Sequence, residues 1–404
     1  MNNKNNKLLR YLRDDIPIEF NEMLVLKKHF SRILNIFQGN ILPPYEILIH
    51  PSSICNLNCK WCIGGVVSAK NNKNLLLENK LSSLDNMKIL VEGILKYEKE
   101  GTNFLTGKKE KFSIENVSFS GITGEPFYST EAILYAIDEL CKHGKKVGVF
   151  TNGTLIKESM FDTILKMKYI LISLDAGNRD TYDEIKCQGV KTNYFDQLVT
   201  NIIKLAERKK ELNSKTDINI GYVINKYNYN QIYKVAKILN EAGVHYLRFK
   251  TDIASILNLT FEERAEAKKQ IEQAKSDFCN SYFSIVEIHN VMDSSKKERK
   301  FNKCFIHYLV SNVSANLHMY PCNYHPSPKN RSYGQINKPD DFKILWDNIF
   351  ENKLDSNIPK VCPEVCDPFK NRANRMLEVA NDIYNEYGAD YLFECINEAI
   401  SKIK

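Results

Sequence analysis

The chain has 404 residues, 43% of them hydrophobic, with 11 cysteines and a formal charge of +7. That length suits one large domain plus a smaller one, and no apolar run approaches the ~18 residues needed to cross a bilayer. The charge is scattered and forms no basic block interleaved with aromatics, so nucleic acid and membrane are not expected as partners. The mild charge suits an acidic partner such as a small electron carrier, though most of it reads as a solvated face.

The N-terminal run MNNKNNKLLRYLRDDIPIEF has no uninterrupted apolar core and does not read as a secretory signal, so a cytoplasmic location is expected. Cysteines in such a chain point to metal before disulfides. From Tyr45 the pattern alternates strand and helix. Tyr45–His50 is a short β-type run, and Leu81–Glu98 has the spacing of an amphipathic helix. Asn116–Ser120 is a strand, Glu131–His143 a helix, Lys146–Thr151 a strand ending in Asn152-Gly153, and Met167–Leu174 a strand ending at Asp175. Phe195–Glu211, Asn230–Ala242 and Thr260–Phe278 read as helices, and Asp217–Asn225 and His245–Lys250 as the fifth and sixth strands. Regular alternation implies parallel strands with crossover helices. Six units are too few for the closed eight-stranded barrel. The expected fold class is therefore α/β, an open, partial (β/α)6 TIM-like barrel over 45–252. An N-terminal helical extension (1–44) precedes it. A helical connector (253–300) and a small α+β domain (301–404) follow.

Function is most legible in Cys55, Cys59 and Cys62, spaced C-x3-C-x2-C on one short loop after the first strand. A structural zinc site would take four ligands, commonly in C-x2-C pairs, and no fourth Cys or His lies nearby. Three thiolates suit an iron–sulfur cube that keeps one iron open to an outside ligand. With Trp61 just before the last cysteine, the motif resembles the signature of the radical S-adenosylmethionine (SAM) superfamily. The resemblance implies a SAM-binding [4Fe–4S] cluster. One electron from it splits SAM into methionine and a 5′-deoxyadenosyl radical, which takes a hydrogen atom from an unactivated carbon.

In parallel α/β folds the active site lies at the carboxyl ends of the strands. Ser120-Gly-Ile-Thr-Gly-Glu-Pro126 follows the second strand and resembles the Gly-Gly-Glu-Pro motif of that superfamily, with Thr123 in place of the first glycine. The resemblance implies that Gly124 and Glu125 hold the amino group of SAM; the plain alternative is a turn with an early-turn acid. By the same resemblance Asn152, Ser173, Asp175 and Asn225 line the SAM pocket at later strand ends, and Trp61 lies near the adenine. Asn-Gly is otherwise an ordinary turn, and Asp175 a helix cap.

A second group comprises Cys304, Cys322, Cys362 and Cys366. The segment between the first two alternates about Ser314-Ala-Asn316 as a hairpin that can set its terminal cysteines side by side. Four cysteines satisfy a [4Fe–4S] cluster or zinc equally. The C-x17-C hairpin, Tyr333-Gly-Gln-Ile336, Trp346 and the C-x3-C pair resemble the SPASM or "twitch" extension of radical SAM enzymes. That implies an auxiliary [4Fe–4S] cluster, one rather than two. Cys141, Cys187, Cys279 and Cys395 are isolated; Cys395 reads as a core residue, and Cys187 as a candidate functional thiol.

An auxiliary cluster can accept an electron from the product radical, which makes a net oxidation the expectation; it could instead position the substrate or relay electrons to the first cluster. Only 44 residues precede Tyr45, short for a leader-binding domain, so a small-molecule substrate is expected, with a peptide-modifying maturase (crosslinking or epimerisation) as the alternative. An iron–sulfur scaffold would have no use for the strand-end residues. The polar insertions 63–83 and 97–114 are expected to shape the substrate entrance.

Overall fold

The computed structural model describes residues 6–12, 21–64, 78–122, 124–253, 256–292, 301–324, 332–352, 360, 362 and 366–403. The described residues contain twelve strands: β1 Glu46–Ile49, β2 Glu98–Thr102, β3 Lys109–Ser113, β4 Asn116–Phe119, β5 Lys146–Thr151, β6 Tyr169–Ser173, β7 Asp217–Ile224, β8 Tyr246–Thr251, β9 Ser284–Glu287, β10 Val310–Val313, β11 His318–Tyr320 and β12 Gly334–Gln335. Ten form one sheet in the order β12-β11-β10-β1-β4-β5-β6-β7-β8-β9, parallel from β10 to β9.

The six expected strands form, and β9 adds a seventh at the far edge, inside the stretch expected to be a helical connector. β10 pairs in parallel with β1, so the C-terminal hairpin extends the barrel sheet rather than starting a sheet of its own. The outer edge of β10 is taken by antiparallel β11, and among the described residues nothing joins β10 to β9. The barrel is open and partial.

Each strand buries alternate side chains under the helices. Ile47, Ile49, Val117, Phe119, Val147 and Val149 are 0% exposed, each such burial contributing about 1.5–3 kcal/mol. The in-between positions of the barrel strands face the other way, and Leu48, Phe150 and Ser173 among them are partly open. They line an interior in which Ser118 Oγ donates to Glu46 Oε1 (2.6 Å) and bonds Tyr169 Oη (2.9 Å). Gly148 leaves room there for the Tyr169 ring, since a Cβ would fall 2.2 Å from it.

The expected entrance insertion 97–114 folds as the β2–β3 hairpin at the opposite end of the barrel. The helix Leu84–Lys96 runs back from the carboxyl to the amino end of the sheet. An insertion between it and β4 must therefore lie at the amino end. Asn35 and Ser31 of the helix Phe30–Phe37 hold the hairpin through Thr102 O (2.8 Å) and Phe104 N (3.0 Å). Of the insertion 63–83, residues 65–77 lie outside the described set, as does Thr123. No helix among the described residues is long and apolar enough to cross a membrane.

Candidate active site

β1 delivers the chain through His50 into the loop carrying Cys55, Cys59 and Cys62. The loop is tied down from two sides. Asn58 N donates to Lys186 O (3.0 Å) and Lys60 N to Ile185 O (2.9 Å), docking it on the end of the helix Arg179–Lys186. On the other side Glu125 N donates to Ile54 O (2.8 Å). A Cβ at Gly124 would sit 2.5 Å from Ser52 O, 2.6 Å from Ile54 O and 2.7 Å from Ile54 N, all main chain. Only glycine permits that approach. Gly64, two residues past Cys62, is matched to Ile122 O in the same manner.

Glu125 is 2% exposed. Its Oε1 accepts from Thr151 Oγ1 (2.5 Å) and Phe127 N (3.2 Å), and its Oε2 from Asn152 N (2.8 Å). Burial pushes its pKa up, against the pull of these three donors. The carboxylate thus clamps the end of β5 to the loop after β4, and it also caps the turn Pro126–Ser129, the plainer of the two roles weighed for it. Asn152 carries the linkage onward. Its Nδ2 donates to Asn56 Oδ1 (3.0 Å) and approaches Cys55 Sγ (3.8 Å), while Asn56 Nδ2 donates to Thr154 Oγ1 (2.7 Å). The ends of β4 and β5 are therefore wired to the three-cysteine loop into which β1 leads.

Asp175 is 2% exposed with φ +56°. Its carboxylate is taken by Lys186 Nζ (2.7 Å) and by Val223 N (2.7 Å), and Lys186 also donates to Ser173 O. The Lys186 ammonium is 1% exposed; burial lowers its pKa, but Asp175 and its other neighbours outweigh that and hold it raised. Lys186 is the residue that sequence reasoning missed. Burial pushes the Cys59 thiol up to about 12, with Lys186 opposing and the thiols of Cys62 and Cys55 adding to it.

The remaining candidates take quieter places. Asn225 is fully buried and shapes the turn after β7, with Tyr227 N donating to its Oδ1 (3.0 Å) and its Nδ2 donating to Val223 O (3.1 Å). Trp61 belongs to the hydrophobic core at 9% exposure. Ser173 is half-buried on the interior face. Cys187 ends the helix Arg179–Lys186, half-buried against the core, and burial raises its thiol. Cys395 is buried in the core.

The hairpin β10–β11 returns the chain so that Cys304 and Cys322 fall on the same side as Cys366. Burial raises the Cys366 thiol, and the neighbouring Cys322 and Cys304 raise it further. Cys362 is half-buried in a stretch whose residues 363–365 lie outside the described set. The helix Pro368–Ser401, capped by Asp367, runs beside this group. Lys370 Nζ approaches Cys322 Sγ (3.7 Å), and Asn374 Nδ2 approaches Cys304 Sγ (3.4 Å).

Among the described residues no three His, Cys, Asp or Glu side chains converge on a point that one metal ion could occupy. A cube bonds each sulfur through a different iron, so its ligands stand further apart than those sharing one ion. Neighbouring thiols, partly buried and met by N–H donors, have the chemistry such a cluster requires.

The comparisons agree with this geometry. Residues 49–222 match the model of the Radical SAM superfamily, so this stretch of the chain carries a radical SAM domain. The chain is an enzyme. It is 27% identical over 213 residues to a cysteine-type anaerobic sulfatase-maturating enzyme of Clostridium novyi, covering 50% of each protein. It is 26% identical over 287 residues to a protein of Brachyspira hyodysenteriae named GTPase Obg, covering 69% of this chain and 37% of that one. The chain thus spans half or less of these two relatives. Among solved structures, SuiB of Streptococcus suis bound to S-adenosylmethionine superposes with a TM-score of 0.53 at 17% identity, covering 83% of this chain and 72% of that one. That likeness concerns the fold.

Proposed function

We propose that Cys55, Cys59 and Cys62 hold a SAM-binding [4Fe–4S] cluster and that Cys304, Cys322, Cys362 and Cys366 hold an auxiliary one. The enzyme then uses SAM-derived radical chemistry to modify a side chain of a peptide or protein, with an acidic flavodoxin or ferredoxin as electron donor. The observation that carries the first part is the wiring of Glu125, Asn152 and Asn56 into the cysteine loop, beside the glycine contact at Gly124. When bound, the first cluster supplies the electron that splits SAM into methionine and a 5′-deoxyadenosyl radical.

The chain's own residues do the rest. Three thiolates leave one iron open. The Asp175–Lys186 pair holds the end of β6 against the loop. The peptide reading is supported by the name of the sulfatase-maturating relative and by the fold shared with SuiB, which is known bound to its precursor peptide SuiA. The length of the segment ahead of Tyr45, which points to a small molecule in the sequence, carries no weight. In the structure that segment packs against the C-terminal helix, as Arg372 pairs with Glu22 (3.3 Å) and Asn6 Nδ2 donates to Cys395 O (2.8 Å).

Anaerobically reconstituted protein should bind about eight irons per chain, about four per cluster. About four irons with one zinc would remove the auxiliary cluster.

A further inference from the structure

We infer that the first two turns of the helix Pro368–Ser401 act as a donor comb for the C-terminal sulfurs, with Lys370 and Asn374 raising the reduction potential of the auxiliary cluster. The inference rests on the auxiliary-cluster reading above and adds what tunes that cluster.

The orientation of Asn374 is decided by its surroundings. An amide side chain can be turned either way until its neighbours choose. Here Asn374 Oδ1 accepts from Phe305 N (2.7 Å) and Ile306 N (3.0 Å), both donors that only an oxygen can satisfy. The Nδ2 must therefore face the other way, toward Cys304 Sγ at 3.4 Å. Asn374 is 1% exposed, so this polar group is placed with all of its bonding directed.

Lys370 lies four residues earlier, on the same helical face. Its Nζ is 3.7 Å from Cys322 Sγ and donates to Asn323 Oδ1, the residue after that cysteine. One helix thus aims two donors at sulfurs that come from opposite ends of one hairpin.

Hydrogen bonds to the sulfurs, net charge and burial set the potential of an iron–sulfur cluster. Reduction adds negative charge, which N–H donors and a cation stabilise. Removing either must make the cluster harder to reduce.

The test is a redox titration followed by electron paramagnetic resonance on the full chain carrying C55A/C59A/C62A, so that one cluster remains. Against that parent, K370M and N374D should each shift the oxidised-to-reduced ratio at fixed potential at least tenfold toward oxidised, about 59 mV for one electron. N374D keeps the oxygen that Phe305 and Ile306 require while removing the donor, and K370R should restore the parent potential. K370M and N374D that retain their iron but titrate with the parent would overturn the inference. A parent that binds no iron would overturn the auxiliary cluster itself, and the inference with it.

Discussion

Glu125→Gln separates two ways in which this carboxylate could serve the cofactor. In the structure it accepts three hydrogen bonds from the protein, at 2.5, 3.2 and 2.8 Å. Glutamine can keep one oxygen for Thr151 and Phe127. Its amide nitrogen then faces Asn152 N–H, donor against donor. Losing one hydrogen bond to a charged group costs about 1.5–3 kcal/mol. Relief of the buried charge offsets part of this, since burial already pushes the Glu125 pKa up. A net loss of about 1–3 kcal/mol is expected. At ~2.1 cal/mol/K per residue the unfolding entropy of a 404-residue chain is roughly 0.85 kcal/mol/K, so Tm should fall by about 1–4 °C. Circular dichroism melting of the apoprotein reads this directly. In the loaded enzyme, SAM affinity should fall as well, because Asn152 and the cysteine loop lose their clamp, while iron content stays. A variant with unchanged Tm but much weaker SAM binding would mean that the carboxylate meets SAM itself. A variant unchanged in both would refute the clamp.

Gly124→Ala should displace the cysteine loop, because the new methyl meets main-chain atoms of Ser52 and Ile54 that cannot rotate away. Total iron should drop from about eight to about four per chain on reconstitution, and undiminished iron would contradict the interlock. Acid should destabilise the apoprotein through two buried histidines. Burial, helped by Arg32, Lys28 and Lys146, lowers His29 to about 3, and burial lowers His50 to about 4, from 6.5. Below pH 6.5 the unfolded chain takes up protons that the folded chain refuses, so stability falls as pH drops toward those values. By pH 5 the loss is about 2 kcal/mol for each histidine. Urea titrations at pH 7 and pH 5 should show H29Q and H50Q flattening this dependence; slopes equal to wild type would assign the acid loss elsewhere.

How much of this was legible in the sequence depended on whether a signal was local. Lys146–Thr151 alternates apolar residues and stops at Asn152-Gly153, and the strand has those bounds. Thr260 followed by Glu263 is a capping box, and the helix starts after it. β9 is a four-residue run, Ser284–Glu287, behind a charged helix, and only its pairing with β8 makes it a strand. The pairing of β10 with β1 joins residues more than 260 apart in sequence, which no local pattern announces. Gly124 could be read as a flexible position, but not that it would meet Ser52 and Ile54. Lys186 is given no role by its neighbours in sequence; its burial against Asp175 comes from tertiary packing. Lys370 and Asn374 sit on a helix whose face toward the cysteines is set by the hairpin, so their placement had no signature either.

The central claim is that the three-cysteine loop carries the open iron at which SAM is cleaved. Reconstituted protein, reduced anaerobically with dithionite and given SAM without substrate, should release 5′-deoxyadenosine and methionine in equal amounts by liquid chromatography with mass detection. The C55A/C59A/C62A chain, with its fold verified by circular dichroism, should release neither. Undiminished 5′-deoxyadenosine from that variant would contradict the account.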